Sequence, residues 1–506
     1  WRLDRRLGHE IWGHEIMIAL SRTIAVGAAA LSLAACATVP APQTGHSLDM
    51  VEARLAEDIG ALAADDFGGR YPGSEGEAKT QRWLIQRYSE IGLQPGAGEG
   101  DWTQDFTLVR RQPSEEAGAS TATATRGSRS VSLSQGLIAV DPGRDDANLA
   151  DVPIVGLDPG FEELQPRSLV NRAVRVPAAE LPRLFSKFEA AAPKALIVTT
   201  QTAEEYEKTA GLISRGRWRL GSDTSGPAVL LLSPQASAGL SDAIGGNAKR
   251  HPDGLGLIAY DTILKASIAQ KTDRIETANV IGRLPGRVPG AGAVVLLAHW
   301  DHLGDDCGPP DATDRLCNGA VDNASGLAVM IEAVRIALRD GPLDRDVIVL
   351  ATSSEELGLL GAKAFVADPP VPLPTIAAAF NLDTMAIAPR GTPVVVLGAG
   401  KTALDYGISE VARVQGREIV SSDLQDAFLP RQDGWALLVE GVPAVLVSSA
   451  LADRADFESF MGSDYHRASD DPARGVELGG AAEDTLLHAA LIRYFASLKT
   501  YPGGGD

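Results

Sequence analysis

Apolar and polar residues alternate in blocks along the second half of the chain, from Thr277 onward. Short apolar runs predict buried strands, and longer runs with apolar residues at helical spacing predict helices. We predict strands at 278–286, 293–301, 346–354, 375–384, 392–398 and 443–449, and helices at 325–340, 357–368, 402–416 and 483–500. Strands that are apolar throughout and separated by helices indicate an α/β fold with a mostly parallel mixed sheet, flanked by helices on both faces.

The first half of the chain has a different pattern. Two helices are predicted within 49–95, on either side of the turn FGGRYPGSEG. Residues 115–135 are rich in Ser, Thr and Ala and indicate a boundary or exposed strands. From 136 to 262, the short runs VPIVGL, KALIVTT and PAVLLL lie between Gly, Pro and Asp turns and predict a small β-rich domain. We therefore predict one main domain, 49–135 plus 263–506, interrupted by an inserted domain at 136–262.

The N-terminal residues have the layout of a secretory signal. A short basic start at Met17–Arg22 precedes an apolar segment that is too short to span a bilayer and ends at Cys36. The sequence LAAC resembles the lipobox of bacterial lipoproteins, which implies lipidation of Cys36 and a periplasmic location with an outer-membrane anchor. An ordinary signal peptide cleaved nearby is the alternative. Residues 1–16 are interpreted as an upstream extension, 1–36 as extension plus signal, and 37–48 as a tether.

The composition limits the classes of partner that the protein can bind and indicates the redox state of its cysteines. The formal net charge of −20 over 506 residues argues against nucleic acid or an anionic membrane surface, because both attract basic patches. Apart from Cys36, the cysteines are Cys307 and Cys317, within DDCGPPDATDRLCNG. In an exported chain we expect a disulfide between them. A zinc knuckle is less favoured, because only two thiols are available.

Metal-binding residue types recur where the predicted strands end or a helix begins. Each one alone is explained by a turn, a cap or a surface histidine. Together they indicate one site, because ligands of open α/β sheets bind at the carboxyl ends of the strands. Crowded carboxylates also repel each other and therefore need a cation. The residues are His299, Asp301, Asp322, Glu355, Glu356, Asp383 and His466.

In order, the motifs HxD, GAxDNASG, EExGLLG, NLDT and YH resemble those of the co-catalytic zinc aminopeptidases. That family includes bacterial leucyl-type aminopeptidases, glutamate carboxypeptidase and the transferrin receptor. Residues 61–76 match its "GR…GS" segment, and 136–262 lies where many members insert a protease-associated domain. The resemblance implies two zinc ions per chain and often a cis peptide after the bridging aspartate. It implies that Asp322 is the carboxylate that bridges the two ions. His299 and Asp383 would complete one site, and Glu356 and His466 the other. Glu355 would be the general base.

Neighbouring residues have expected supporting roles. Asp301 is expected to orient the imidazole of His299, and Asp470, or alternatively Asp471, that of His466. His302 is interpreted as a structural or surface residue. Tyr465 is a candidate oxyanion donor, with packing as the alternative.

The sequence departs from the family pattern before the GVPA strand. There Arg431 and Asp433 align, but Phe428 and Gln432 replace polar residues of the pattern. The family tyrosine of this stretch, which can stabilise the oxyanion, is therefore missing.

The resemblance implies a zinc-dependent exopeptidase, foremost an aminopeptidase that removes N-terminal residues from peptides. It would use a water bridged by two zinc ions. A carboxypeptidase or dipeptidase of the same family is the second interpretation. Glutaminyl cyclase shares the fold but works with one zinc ion, and a metal-free receptor-like binding protein is the remaining alternative. Peptides are the expected partners, and side-chain specificity and oligomeric state are not predicted.

Overall fold

The computed structural model describes Val39 and residues 46–503, with gaps at 117, 146, 159–163, 166, 246–248, 251–255, 306 and 309–310. The predicted lipidation site Cys36, the signal segment and most of the tether lie outside the described residues. Among the described residues, no helix combines the length and apolar character needed to cross a membrane.

Every strand and helix predicted from 278 onward is present in the predicted order, and further short elements lie among them. The helices are α1 (Leu48–Leu62), α2 (Glu75–Glu90), α3 (Leu181–Ala191), α4 (Ala203–Ser214), α5 (Pro234–Ile244), α6 (Ser325–Arg339), α7 (Leu360–Ala367), α8 (Asp405–Gln415), α9 (Gln425–Phe428), α10 (Gly434–Leu438), α11 (Arg454–Ser463) and α12 (Gly479–Phe495). The strands are β1 (Gln94–Pro95), β2 (Thr103–Pro113), β3 (Thr121–Arg126), β4 (Arg129–Ser132), β5 (Ile138–Val140), β6 (Ala147–Leu157), β7 (Ala173–Pro177), β8 (Ala195–Thr199), β9 (Trp218–Leu220), β10 (Ala228–Leu232), β11 (Lys249–Arg250), β12 (Leu257–Ile268), β13 (Gln270–Leu284), β14 (Ala293–His299), β15 (Asp346–Thr352), β16 (Ile376–Asn381), β17 (Val394–Leu397), β18 (Ile419–Val420) and β19 (Ala444–Ser448).

The first sheet has the order β18-β17-β19-β16-β14-β15-β13-β2-β9, and β1 pairs with β13. Its central strands β15, β14, β16 and β19 are parallel. Antiparallel pairing begins on either side, at β13 and at β17. The predicted α/β class with a mixed sheet is confirmed. The long antiparallel pairing of β2 with β13 makes the sheet less parallel than expected, because β2 lies outside the region of strand–helix alternation.

Both faces of the first sheet are covered, as the fully apolar strands predicted. Alternate residues of β14 belong to different cores: Val294 and Leu296 pack with α1, α6, α8 and α12, whereas Val295 and Leu297 pack with α7 and α10. Side chains of successive strand residues point to opposite faces, so a strand buried on both sides must be apolar at every position. The parallel strands are therefore held rigidly, and their carboxyl ends lie at one edge.

The second sheet forms the inserted part of the chain, in the order β4-β3-β12-β6-β7-β8-β10-β5. Its central strands β6, β7, β8 and β10 are parallel. Leu230 and Leu232 face a core that includes α5, and Leu231 faces a core that includes α3 and α4. The β-rich prediction missed these helices, because their short amphipathic stretches lie between stronger apolar runs.

The boundaries of the inserted sheet also differ from those predicted. The sheet runs from Thr121 to Ile268, wider than 136–262, because β3 and β4 pair on the edge of β12. The sequences of β3 and β4 consist mostly of small residues, and such a sequence alone indicates a domain boundary as readily as a pair of strands. Within the inserted range, β9 pairs with β2 and so belongs to the first sheet.

Arg70 connects the N-terminal helices to the edge where the parallel strands end. Its side chain is fully buried and donates hydrogen bonds only to carbonyl oxygens. Nε reaches Trp300 at 2.8 Å, one terminal nitrogen reaches Leu62 at 2.8 Å and Asn318 at 2.6 Å, and the other reaches Gly319 at 2.9 Å. Burial lowers the pKa of Arg70 to about 10, still well above neutrality. One cation therefore ties α1, the end of β14 and the segment before α6.

Replacing Arg70 by Met should lower the free energy of unfolding by at least about 3 kcal/mol. Each buried carbonyl left without a partner costs roughly 1–3 kcal/mol. Urea unfolding measures the change. The control Arg413→Met, at an exposed residue that pairs only with Glu410 one helical turn away, should leave the unfolding midpoint unchanged. Equal midpoints for the two variants would contradict this role of Arg70.

Candidate metal centre

Three adjacent parallel strands deliver the predicted residues to one edge of the first sheet. His299 is the last residue of β14, Glu355 and Glu356 come shortly after the end of β15, and Asp383 comes two residues after β16. The side chain of His299 is 1% exposed, that of Glu356 5% and that of Asp383 14%. The strand order β16-β14-β15 therefore sets the spacing of these groups.

Asp322 lies between two histidines from distant parts of the chain. Its Oδ1 is 3.2 Å from Nε2 of His299, and its Oδ2 is 3.3 Å from Nε2 of His466. The peptide bond between Asp322 and Asn323 is cis, as the resemblance implies. Each carboxylate oxygen therefore faces a different imidazole, which is the arrangement of a carboxylate shared by two cations.

Two groups of ligand atoms surround Asp322. On the first side, Nε2 of His299 is 3.6 Å from Oδ1 of Asp383. On the second side, Nε2 of His466 is 3.0 Å from Oε2 of Glu356. The structure thus brings together all five residues that the resemblance assigns as ligands. Asp322 belongs to both groups.

The chemistry of these atoms fits a metal. Nε2 of His299 and Nε2 of His466 are buried and have no hydrogen-bond partner among the described residues. Their neighbours are carboxylate oxygens, so lone pairs face lone pairs, and a cation satisfies them all. Zinc–ligand bonds of about 2.0–2.2 Å put two ligands of one tetrahedral ion about 3.3–3.6 Å apart. The observed separations of 3.0–3.6 Å are close to that value.

Without a metal, protons reside on the imidazoles. Burial lowers the pKa of His466, but the nearby carboxylates of Asp322 and Glu356 outweigh it and raise the pKa to about 10. Burial raises the pKa of Asp322, but the two histidines hold it well below its usual range. Metal binding must therefore displace protons from the histidines.

Glu355 differs from the ligands around it. Burial raises its pKa well above the usual range, and the carboxylates of Glu356, Asp433 and Asp383 raise it further. Glu355 lines the same cavity as His299 and Asp322. A buried carboxylate with a raised pKa, placed beside a metal site, suits a group that accepts and returns a proton.

Asp301 supports the centre in a different way from that predicted. Nδ1 of His299 is 3.0 Å from the backbone oxygen of Asp301 and 3.8 Å from its carboxylate, so the backbone orients the imidazole. The carboxylate instead accepts the backbone N–H groups of Glu355 at 3.0 Å and Glu356 at 3.3 Å. Burial raises the pKa of Asp301 to about 7. The prediction that its carboxylate orients His299 is wrong, because the turn after β15 presents two N–H groups to it.

Asp470 also has other partners than expected. Its carboxylate accepts the backbone N–H groups of Val321 at 2.8 Å and Asp322 at 3.0 Å. Asp471, the alternative, accepts the side-chain amide of Asn318 at 2.7 Å. The carboxylate of Asp471 also accepts the backbone N–H of Ala473 at 2.7 Å. The carboxylate of Asp470 thus contacts the segment around Asp322, because the loop after His466 folds against it. The prediction that Asp470 orients His466 is wrong.

His302 is buried, so the surface interpretation is wrong, and its imidazole forms a group of potential metal ligands with Asp322 and Glu356. Its Nδ1 is 2.7 Å from Oε1 of Glu356. Sequence reasoning missed this contact, although the position of His302, one residue after Asp301 in HWDH, was the available signal.

A cavity beside the candidate ligands has one apolar wall. Tyr465 lines it and stacks on His466 with ring centroids 3.7 Å apart, so packing and an oxyanion role are both compatible with its position. Arg431, Gln432 and Thr384 also line it. Sequence reasoning did not identify the apolar side chains, because several come from α11 and nearby loops without a recognisable pattern. They are Leu397, Phe428, Leu446, Leu451, Phe457 and Met461.

Cys307 and Cys317 are joined by a disulfide, with Cα atoms 5.7 Å apart. The backbone N–H of Cys317 also donates to the carbonyl of Gly304 at 2.8 Å. The loop closed in this way connects His302 to the segment of Asp322. The disulfide therefore shortens the unconstrained segment between His302 and Asp322.

Comparisons with known proteins bear on this geometry. Residues 279–488 match peptidase family M28. This segment is an M28 peptidase domain. It contains all five candidate ligands and Glu355, and it begins in β13 and ends in α12.

Two curated relatives match the chain in part. A vacuolar membrane protease of Yarrowia lipolytica is 30% identical over 177 residues, which is 33% of this chain and 15% of that protein. Aminopeptidase YwaD of Bacillus subtilis is 34% identical over 89 residues, 17% of each chain. The matched segments thus span less than a fifth of these relatives.

Solved structures resemble the fold at lower identity. An aminopeptidase from Aneurinibacillus sp. strain AM-1 has a TM-score of 0.47 and 17% identity, covering 89% of this chain and 96% of that one. BSAP, a zinc aminopeptidase from Bacillus subtilis, has a TM-score of 0.45 and 16% identity, covering 91% and 97%.

Replacing Asp322 by Asn should lower the bound zinc below one equivalent per chain, because a neutral amide cannot bridge two cations. Asp383→Asn should lose only the ion on its own side. Elemental analysis after dialysis against limiting zinc measures both. The control Asp426→Asn, at an exposed residue outside the cavity, should match the unaltered protein. Equal zinc content in the Asp322 and Asp383 variants would contradict the bridging role.

Proposed function

We propose that this protein is a zinc-dependent exopeptidase, and specifically an aminopeptidase that releases N-terminal residues from peptides. The observation that carries the proposal is Asp322, whose two oxygens face His299 and His466 at 3.2 and 3.3 Å. Glu355 lines the adjoining cavity. The match of residues 279–488 to peptidase family M28 and the partial identity to an aminopeptidase support the same activity.

Two zinc ions are proposed, with Asp322 shared between them. When bound, zinc polarises the scissile carbonyl and lowers the pKa of water toward neutrality. The residues that would hold the ions are His299, Asp383, Glu356 and His466, together with Asp322.

Glu355 is proposed as the general base. Its carboxylate is buried, and its raised pKa favours acceptance of a proton from the attacking water. The same carboxyl group then returns that proton to the departing amine. Tyr465, which lines the cavity beside His466, is the proposed donor to the oxyanion.

The scarcity of cationic side chains in the cavity favours the aminopeptidase over the carboxypeptidase. Arg431 is the only Lys or Arg among its described lining residues, and it is exposed. A carboxypeptidase needs a cation to bind the terminal carboxylate, and Arg431 is the group that would serve that second function.

An exported, lipid-anchored location is proposed from the sequence alone. It rests on the apolar segment that ends at Cys36. A location outside the cytoplasm agrees with the disulfide between Cys307 and Cys317.

Replacing Glu355 by Gln should lower kcat by about 10²- to 10⁴-fold, because the amide cannot accept the proton. Zinc content should stay unchanged, since Glu355 is not a proposed ligand. Assays on a leucyl amide and elemental analysis of the same samples measure both effects. The control Glu440→Gln, an exposed residue after α10, should be fully active. Full activity of the Glu355 variant with zinc bound would exclude its role as base.

Peptides blocked at one end separate the two exopeptidase activities. An aminopeptidase should cleave a substrate with a free amine and an amidated C-terminus, and it should fail on the N-acetylated peptide. The apolar wall further predicts that Leu at the N-terminus is preferred over Ala by at least about tenfold in kcat/KM. Cleavage only of N-acetylated peptides with a free carboxylate would instead favour the carboxypeptidase. A protein that binds no zinc and cleaves neither peptide would favour the receptor-like alternative.

A further inference from the structure

His302 is an imidazole that the proposed chemistry does not use, although it touches a proposed ligand. Its side chain is fully buried, and its Nδ1 is 2.7 Å from Oε1 of Glu356. The other carboxylate oxygen of that residue, Oε2, is 3.0 Å from Nε2 of His466. The two oxygens of Glu356 therefore have different neighbours, one on each side.

The distance from His302 to Glu356 distinguishes a hydrogen bond from shared metal ligation. Two ligand atoms of one tetrahedral zinc ion are about 3.3–3.6 Å apart, given bonds of about 2.0–2.2 Å. The separation of 2.7 Å is shorter than that and lies within the normal range of an N–H···O bond. A metal-binding carboxylate only accepts hydrogen bonds, so the proton of this bond belongs to Nδ1 of His302.

The surroundings of His302 fix the position of its ring. Gly319 has a φ of +60°, and a Cβ on it would lie 2.7 Å from Cγ and Cδ2 of the imidazole. On another side the ring meets that of His466 edge-on, with centroids 5.7 Å apart. The same Cβ would lie still closer to the backbone carbonyl oxygen of Asp322, so a larger residue at 319 would displace the ring, the backbone or both. The ring of His302 is thus packed between Gly319 and His466.

We propose that His302 is a positioning residue for the metal centre. It holds Oε1 of Glu356 by a hydrogen bond, so that only Oε2 is directed at the ion shared with His466 and Asp322. The consequence is selective: His302 strengthens binding of the ion on the Glu356 side and leaves the ion on the Asp383 side unaffected. The inference rests on the proposed function, because it requires that the centre binds zinc.

The test compares two variants with side chains of the same branched shape. His302→Leu removes the donor, whereas His302→Asn places an amide N–H close to the position of Nδ1. Metal-free full-length protein is titrated with zinc in the presence of a chromogenic chelator, and elemental analysis gives the stoichiometry. Far-UV circular dichroism checks that each variant is folded.

We expect two zinc ions in all three proteins. In the Leu variant the affinity for one ion should fall about 10- to 100-fold, as for other groups that hydrogen-bond a ligand. The Asn variant should keep an affinity close to that of the unaltered protein, and the second ion should bind equally well in all.

Four outcomes would overturn the inference. If both variants bind a single zinc ion, His302 is itself a ligand. If both keep unaltered affinity for both ions, or if both lose affinity equally, the hydrogen bond has no positioning role. If the unaltered protein binds no zinc, both the proposed function and the role of His302 fail. If the unaltered protein binds two zinc ions, an unexpected result in the variants counts only against the role of His302.

Discussion

Crowding of buried carboxylates is the constraint on which the rest of this structure depends. Ionised carboxylates removed from water repel each other and lose hydration, so each needs a cation or hydrogen-bond donors. In this protein they converge on one edge of a sheet, where water is largely excluded. Four members of the group are buried, Asp301, Asp322, Asp433 and Asp470, and three are half-buried, Glu355, Glu356 and Asp383. Burial raises the pKa of Asp433 to about 6.

The fold answers this constraint at three levels. Nearest to the proposed ions, Asp322 lies between His299 and His466, so that the carboxylates would be separated by imidazoles and cations. Around them, the carboxylates of Asp301 and Asp470 each accept two backbone N–H groups, which fixes the turns that carry the ligands. Further out, the buried guanidinium of Arg70 binds the backbone carbonyls of Trp300, next to His299, and of Gly319, shortly before Asp322, and adds a permanent positive charge. The contacts that fix the positions of the candidate ligands therefore also balance the negative charge of the carboxylates.

Backbone strain also occurs at this edge. Ser354, Thr384 and His466 have φ values of +61°, +56° and +57°, although none is glycine. Such residues cost about 1–3 kcal/mol each and persist where the surrounding structure determines them. They precede Glu355, follow Asp383 and form a proposed ligand, respectively. Strands were predictable because burial on both faces demands continuous apolar runs, whereas these turns carry no such pattern.

The sequence by itself determined the order of strands and helices, the mixed α/β class and the residues gathered at the strand ends. These follow from local periodicity and from the rule that parallel strands end at one edge. The tertiary structure alone decided the partners of Asp301, Asp470 and His302, the apolar wall of the cavity and the true limits of the inserted sheet. Those features depend on side chains or strands far apart in the chain, brought together by turns whose conformations local pattern does not encode.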